Sequence, residues 1–114
     1  MADVVFLHDP SFLILAALAQ EDLHGYGIMK EVERLSEGQA RLALGTLDRL
    51  LQKGGVEIAR EERQGGRLRR YYHLTESGAD DLRRETEIQA QLIEATRKNL
   101  ERRKSAVSKP LEAL

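Results

Sequence analysis

Hydrophobic and polar positions in the first forty residues follow a helical period in two successive segments. Residues 12–18 are almost wholly apolar and follow Asp9 and Pro10, a pair that suits a helix start. The aspartate can cap the helix, and the proline lacks an N–H that would have had no partner there. In the next segment apolar side chains recur every three residues, at Tyr26, Met29, Val32 and Leu35. This pattern predicts a second helix, with Asp22 or His24 as its N-cap and Gly38 as its C-cap.

A third segment, residues 41–54, has one leucine-rich face and one polar face. The apolar face holds Leu44, Leu47, Leu50 and Leu51, and the polar face holds Thr46, Asp48, Arg49, Gln52 and Lys53. Gly45 opens the segment and Gly54 closes it. Such a helix is either an ordinary surface helix or a recognition helix, whose apolar face packs on the core while its polar face lies in a DNA groove. With the two helices before it, the segment predicts a helix-turn-helix arrangement.

The period changes to two after Gly55. Alternating runs at 56–61 and 68–74 flank a Gly65-Gly66 turn, and this pattern predicts a β-hairpin. The hairpin carries Arg63, Arg67, Arg69 and Arg70 on its turn and its strands. Three helices followed by a hairpin with a basic tip describe a winged helix. In that fold the third helix enters the major groove and the wing reaches phosphates or the minor groove.

A helical period returns after Thr75, which can cap a long amphipathic helix over residues 76–104. Its apolar side contains Leu82, Ile88, Leu92, Ile93, Thr96 and Leu100. A helix this long exceeds what so small a domain can cover, so we expect the same helix of a second subunit to cover it. The alternative is a helix that lies back over its own core. Residues 105–114, interrupted by Pro110, are expected to form a frayed tail.

Charge is distributed unevenly along the 114 residues, although the formal net charge is only -1. Residues 41–75 hold eight basic and four acidic side chains, whereas residues 1–40 hold two basic and seven acidic ones. A basic middle is an electrostatic footprint for nucleic acid, with chance clustering on a solvated surface as the other interpretation. The length and pattern predict one domain with an appended helix, mainly α with a small β-hairpin (α+β).

Composition and motifs exclude several classes of function. The chain has no Cys, and it has neither an apolar run of membrane-spanning length nor a signal-peptide pattern, so we expect a cytoplasmic protein without membrane contact. Its three histidines, His8, His24 and His73, lie in different elements without metal-ligand spacing. No Ser/His/Asp ordering, phosphate-cradling loop or carboxylate pair stands out. We therefore predict no enzyme, no catalytic residue, no metal site and no cofactor.

Three short patches stand in a distinctive order and spacing. They are Leu13–Leu18 running into His24–Ile28, then Gly45-Thr46-Leu47 with Leu50 and Gly54, and finally Arg69–Tyr72 with Leu74–Glu76 and Gly78. Over roughly residues 10–85 the chain thereby resembles the PadR family of bacterial transcriptional regulators. The resemblance implies a winged helix-turn-helix domain (1–75) and a C-terminal dimerisation helix (76–104). It also implies binding of operator DNA as a homodimer, usually as a repressor.

Three departures from the family pattern fall at or beside the third helix. Asp48 stands where family members typically have a tyrosine that helps to contact DNA, Ala43-Leu44 replaces the usual Ser-Pro, and Gly54-Gly55-Val56 replaces the usual Gly-Leu-Ile. Phosphates repel a carboxylate, so either Asp48 points at a base or DNA binding is weakened. A second hypothesis is therefore a dimeric winged-helix protein-interaction module whose DNA-reading surface is degenerate.

Candidate DNA contacts come from three elements: Thr46, Arg49 and Lys53 on the third helix, Arg67, Arg69 and Arg70 on the wing, and Tyr26. Thr46 can donate to a phosphate near the helix N-terminus or can serve as a local cap. Arg67 at the wing tip is the strongest single candidate for phosphate or minor-groove contact. Arg69 and Arg70 point to opposite faces of a strand, so we expect at most one of them to reach DNA.

The sequence supports a small-molecule binding site less well than it supports DNA binding. Multidrug-sensing relatives sandwich flat ligands between aromatic side chains, but this chain has no Trp and no aromatic residue in its last helix. Only Phe6 and Phe12 could line such a cleft, so we predict no aromatic sandwich. The sequence leaves open whether the protein binds an unidentified small-molecule effector or protein partner.

Overall fold

The computed structural model describes residues 9–38 and 44–108. Its elements are α1 (Pro10–Leu18), β1 (Leu23–His24), α2 (Gly25–Leu35), α3 (Leu44–Lys53), β2 (Val56–Gln64), β3 (Arg67–Leu74) and α4 (Glu76–Ser108). The chain divides into two compact units, residues 1–83 and 84–114, so the first turns of α4 belong to the first unit. The winged helix-turn-helix order expected from the sequence is confirmed. The sequence predictions for Phe6, His8, Ala43 and residues 109–114 lie outside the described residues.

The first two helices begin and end at residues with capping functions. The Asp9 carboxylate accepts a hydrogen bond from the Ser11 N–H at 2.9 Å, as its predicted role requires. Of the two caps considered for α2, the structure selects His24, whose Nδ1 accepts from the Gly27 N–H at 3.1 Å. After α2 the chain turns through Gly38, which has a φ of +77° and donates its N–H to the Glu33 carbonyl at 2.8 Å. The C-cap of α2 is nevertheless Ser36, and Glu37 with a φ of +54° takes the first left-handed position after it, so the prediction of Gly38 as the C-cap is wrong by two residues.

The core of the first unit is built around α1, which is buried on most sides. The buried apolar side chains are Leu13, Ile14, Leu15, Ala17, Leu18, Ile28, Val32, Leu50 and Val56. Around them lie the partly buried Leu23, Leu47, Leu51, Tyr72, Leu74 and Leu82. The leucines of α3 and the two β3 side chains therefore fix the third helix and the wing to one common core.

The sheet has three antiparallel strands in the order β1-β3-β2, one strand more than the predicted hairpin. β1 is only two residues long and pairs Leu23 with Tyr72 and His24 with Tyr71. So short a strand has no alternation by which a sequence could show it. Between β2 and β3, Gly65 and Gly66 have φ values of +56° and +80°, which are the left-handed conformations that a two-residue type I′ hairpin turn requires.

A β-bulge interrupts β2 between Ile58 and Arg60. Ile58 pairs with Tyr72, but the extra residue Ala59 brings Arg60 opposite Tyr71. The uninterrupted alternation predicted for residues 56–61 is therefore wrong beyond Ile58, because a bulge moves every later side chain to the other face. As a result the Arg60 guanidinium carbon lies 4.0 Å from the centre of the Tyr71 ring.

Thr75 connects the beginning of α4 to the turn that follows α3. Its hydroxyl lies 2.6 Å from the Gly54 carbonyl oxygen and 3.0 Å from that of Gly55. The same oxygen accepts from the Gly78 N–H at 3.0 Å, which confirms Thr75 as the cap of α4. Gly54 closes α3 with a φ of +83°. One threonine thus caps one helix and binds the end of another.

α4 continues to Ser108, four residues beyond the predicted end at 104. In the second unit Ile88, Leu92, Ile93 and Leu100 are each more than half exposed. The Thr96 hydroxyl donates to the Leu92 carbonyl at 2.8 Å and so stays close to its own helix. None of the described helices has the length and apolar character needed to cross a bilayer.

Candidate nucleic-acid interface

The exposed side of α3 is one continuous stripe. Its members are Gly45, Asp48, Arg49, Gln52 and Lys53, at successive spacings of three, one, three and one residues. These spacings place all five on one face of a helix. Leu50 on the opposite side is buried, and Leu47 and Leu51 are partly buried beside it. The two-faced helix predicted from the sequence is therefore present, and its polar face is open to solvent.

Thr46 does not belong to that polar face. Its side chain is only 1% exposed, so its assignment to the polar side is wrong. The reason is geometric: Thr46 lies four residues before the buried Leu50 and therefore shares its face. The Thr46 hydroxyl accepts a hydrogen bond from Nη2 of Arg49 at 3.2 Å. Its contact with a phosphate stays a prediction, and its burial favours a role in positioning Arg49.

Arg49 lies back along α3 towards the start of the helix. Its Nη1 is 3.6 Å from the place that a Cβ on Gly45 would occupy, and no other side chain of residues 9–38 and 45–106 lies within 4 Å of that place. The guanidinium therefore sits beside the exposed backbone of Gly45, with donors left over after its bond to Thr46. Asp48 and Lys53 are exposed, and neither makes an ion pair within residues 9–38 and 44–108.

Acidic residues of β2 neutralise part of the basic wing. Nε of Arg70 lies 2.8 Å from Oε2 of Glu61, and this bond raises the pKa of the Arg70 guanidinium. Nε of Arg60 lies 2.6 Å from Oε1 of Glu62, which raises the pKa of Arg60 in the same way. Arg67, next to the Gly65-Gly66 turn, is exposed and has no ion pair in the described part of the chain. The wing therefore offers Arg67 more freely than Arg70.

Arg69 lies on the other face of β3 from Arg70, as expected, and reaches His24. Its Nη1 is 2.9 Å from Nε2 of His24, whose Nδ1 accepts from the Gly27 N–H. A neutral imidazole has only one acceptor nitrogen, so it cannot accept both bonds at once. While His24 caps α2, its Nε2 carries the proton and Arg69 has no acceptor there. The Arg69 guanidinium is then positioned beside α2 with donors free for another acceptor.

A groove of about 680 Å³ lies between the start of α2 and β3. Its lining includes His24, Tyr26, Arg67, Arg69 and Tyr72. Tyr26 is 64% exposed, and Nζ of Lys30 lies 5.6 Å from the centre of its ring. The groove thus combines three arginines, Arg70 among them, and an exposed phenol with the N-terminal end of a helix. Such a combination favours a phosphate.

Two residues at or next to this groove were not among the sequence candidates: His24 lines it, and Lys30 lies against the ring of Tyr26. Lys30 follows Tyr26 by one helical turn, and that spacing could have identified it. The contact of His24 with Arg69 spans 45 residues and depends on the pairing of β1 with β3, for which the sequence has no periodic signal. Tyr72 packs against the core, whereas Tyr71 packs edge-on against His24, with ring centres 5.2 Å apart.

The six residues predicted for dimerisation do not share one environment. Leu82 is partly buried against the core of the first unit, so it has contacts within its own chain. Ile88, Leu92, Ile93, Thr96 and Leu100 are exposed on the helix of the second unit. Among the described residues no three acidic, histidine or cysteine side chains come together in a way that could hold a metal ion.

Residues 14–84 match the profile of the transcriptional regulator PadR-like family. That segment includes α2, α3 and the wing, and therefore every residue of the groove and of the α3 stripe. No curated protein sequence is significantly similar to the chain.

Solved structures of PadR proteins have the same fold. A PadR family transcription regulator from Clostridium difficile is 27% identical with a TM-score of 0.67, over 80% of this chain and 97% of that one. A PadR family regulator from Eggerthella lenta is 26% identical with a TM-score of 0.63, over 78% and 75%. Bacillus subtilis PadR, whose structure contains operator DNA, is 27% identical with a TM-score of 0.57. That match covers 67% of this chain and 45% of the Bacillus protein.

The profile match extends over more than half of the chain, and the structural neighbours share its helix order and its wing. The family profile, the fold and the arrangement of α3 with the wing all indicate the same family. The chain therefore belongs to the PadR-like family of transcriptional regulators, whose members are regulators and not enzymes.

Proposed function

We propose that this protein is a transcriptional repressor that binds operator DNA as a homodimer through α3 and the wing. The observation that carries the proposal is the exposed stripe of α3, held from behind by Leu50 and flanked in sequence by a cationic wing. The similarity to Bacillus subtilis PadR, solved with operator DNA, supports the same activity here. A repressor of this kind acts in the cytoplasm, where operator DNA is found.

Each surface has its own role in the proposed complex. The α3 stripe enters the major groove, with Arg49 at a base edge and Lys53 near the phosphates. Arg67 and Arg69 in the groove beside α2 contact the phosphate backbone, and Tyr26 adds a hydroxyl. Arg70 contributes less because Glu61 already neutralises it.

The homodimer uses the exposed apolar stripe of α4. Ile88, Leu92, Ile93 and Leu100 lie within one side of the helix, and each is more than half exposed in the single chain. Burying them against the same helix of a second subunit forms a self-complementary interface. Two subunits present two α3 helices, which matches the half-sites of a palindromic operator.

The test is binding of the full-length protein to the DNA upstream of its own gene across a salt series. Affinity is expected to fall as salt rises, because phosphate contacts release counterions. The double variant Arg49→Ala with Arg67→Ala is expected to lose that affinity. Lys98→Ala, which removes a positive charge from the polar side of α4, is the matched control and should bind as the wild type does. Unchanged affinity in the double variant would refute the proposed surface.

One observation favours the second candidate function, a protein-interaction module whose DNA-reading surface is degenerate. Asp48 places a carboxylate in the middle of the exposed α3 stripe, where phosphates would repel it. This candidate predicts no specific DNA binding at moderate salt. It also predicts that Asp48→Tyr, which introduces the residue typical of the family, creates strong DNA binding. Specific binding by the wild type would exclude this candidate.

A further inference from the structure

We propose that Asp48 reads cytosine in the operator by accepting a hydrogen bond from the exocyclic N4 amine in the major groove, while Arg49 beside it donates to guanine. The inference rests on the proposed function, since it needs α3 to lie in the major groove. It turns the residue that departs most from the family pattern into a determinant of sequence specificity.

The position of Asp48 on α3 is that of a base-contacting residue. At about 100° per residue, the four buried or partly buried side chains of α3 are centred on the side opposite Gly45 and Gln52. Asp48 and Arg49 flank this outward line on its two sides. Gly45 has no side chain, so the helix backbone can approach the DNA closely at that point. The residues near the start of a recognition helix are those that reach base edges.

No contact within the described residues accounts for the carboxylate of Asp48. Asp48 is exposed and makes no ion pair within the described parts of the chain. A negative charge gains most from the helix dipole when it lies in the first turn of a helix. α3 begins at Leu44, so Asp48 lies beyond that turn. Arg49 does not pair with it, because the Arg49 guanidinium lies towards Thr46 and the backbone of Gly45 instead.

The chemistry of a carboxylate restricts what it can read. An ionised carboxylate only accepts hydrogen bonds, and phosphate oxygens and thymine O4 only accept as well. The major groove offers two amine donors, cytosine N4 and adenine N6. Adenine places the acceptor N7 beside its amine, and that nitrogen would repel the carboxylate. Cytosine has no second acceptor on this edge, so its amine is the partner that Asp48 fits best.

The experiment is selection by the full-length protein from a duplex DNA pool with a randomised central segment. The wild type is compared with Asp48→Asn, Asp48→Ala and the charge-matched control Glu94→Gln on α4. We expect the wild type to enrich a site with a required cytosine, and Asp48→Asn to shift that position towards adenine, which an amide reads. Asp48→Ala should lose the preference there by about fivefold or more while it keeps the others. Glu94→Gln should enrich the wild-type site.

Two results would overturn the inference, and they differ from failure of the proposed function. If both Asp48 variants enrich the wild-type site and bind every sequence more tightly, the carboxylate only repels phosphate and reads nothing. If both variants enrich the wild-type site with unchanged affinity, Asp48 does not face DNA. Enrichment of no sequence by the wild type would instead refute operator binding itself, and the inference would fall with it. Helix content measured by circular dichroism confirms that the variants are folded.

Discussion

The α carbon of Gly78 lies against the carbonyl group of Gly55, so closely that a methyl group on Gly78 would overlap the carbonyl oxygen. The two glycines come from the first turn of α4 and from the turn between α3 and β2. Both are buried. Their contact is between backbones, which cannot move aside as a flexible side chain can.

Gly78→Ala is therefore expected to destabilise the protein although alanine favours helices. Overpacking costs about 1–3 kcal/mol, and the gain in helix propensity returns only about 1 kcal/mol of it. Urea unfolding measures the net loss. Gly25→Ala is the control, because no described side chain or neighbouring element lies within 4 Å of the Cβ it would add. Equal stability of the two variants would contradict the contact.

Replacing Arg67 should weaken DNA binding almost equally for all sequences. Arg67 is the exposed arginine beside the wing turn and has no ion pair in the described part of the chain. A phosphate contact carries no base information, so Arg67→Ala should reduce the slope of log affinity against log salt by about 1. Arg70→Ala should change the slope less, because Glu61 holds that guanidinium. A larger effect of Arg70→Ala would show that its ion pair opens on DNA.

His24→Ala should cost about 1 kcal/mol of unfolding free energy, since it removes the N-cap of α2. His24→Asn keeps a capping acceptor and should retain most of that stability. The two variants separate the capping role of His24 from its contact with Arg69. Only the asparagine can cap α2, and neither variant has an imidazole beside Arg69. DNA affinity that falls in both variants, while stability falls only in the alanine variant, would show that the imidazole also positions Arg69. Equal stability of all three proteins would argue against the cap.

The ion pair of His73 with Asp22 should make stability depend on pH. Nδ1 of His73 lies 2.7 Å from Oδ1 of Asp22, and this hydrogen bond raises the pKa of His73 above 6.5. The folded state therefore binds the proton more tightly than the unfolded state does. The stabilisation is complete below the ordinary imidazole pKa and is lost as the pH rises through the raised value.

His73→Gln should remove this pH dependence. The measurement is the difference in urea midpoint between wild type and variant across the imidazole titration range. The difference should be largest at the acidic end and should shrink towards the alkaline end. Arg60 and Glu57, which also influence this site, are present in both proteins and cancel in the comparison. A constant difference would mean that the pair contributes no charge-dependent stability.

Leu92→Asp should convert the proposed dimer to a monomer. Leu92 is 64% exposed within the apolar stripe of α4, so an aspartate there is harmless in a single chain. In a dimer the same carboxylate would be buried without a partner, which is strongly unfavourable. Sedimentation equilibrium gives the mass of each species. Glu101→Lys on the polar side of the helix is the control and should remain dimeric. A dimeric Leu92→Asp protein would place the interface elsewhere.

Periodicity in the sequence was enough to predict most of the fold. The i, i+3, i+4 pattern located the helices, and the Gly65-Gly66 pair located the hairpin turn, because both signals are local. β1 could not be predicted, since two residues have no period and their pairing with Tyr71 and Tyr72 joins distant parts of the chain. The bulge at Ala59 was missed for a related reason. The alternation is regular in the sequence, and only the partner strand shows that one residue is extra.

The candidate site was predicted less completely than the fold. Arg49 and Arg67 could be named because their positions in a helix and at a turn decide their exposure. Thr46 was assigned to the wrong face because a small polar residue looks like a surface residue, while its distance of four residues from Leu50 was the better guide. The division of the wing arginines into paired and free ones depends on cross-strand register, which composition does not contain.

Ala59 puts the faces of the wing out of step with the alternation of residue numbers. Beyond this residue each side chain of β2 lies on the face opposite to the one its number would suggest, which is how Glu61 comes to meet Arg70. Deleting Ala59 would remove the bulge, while Arg60 would stay opposite Tyr71 and Glu61 opposite Arg70. A relative that lacks this one residue can thus present the same wing faces with residue numbers shifted by one. Alignments of relatives should accordingly open a one-residue gap here before any wing residue is compared.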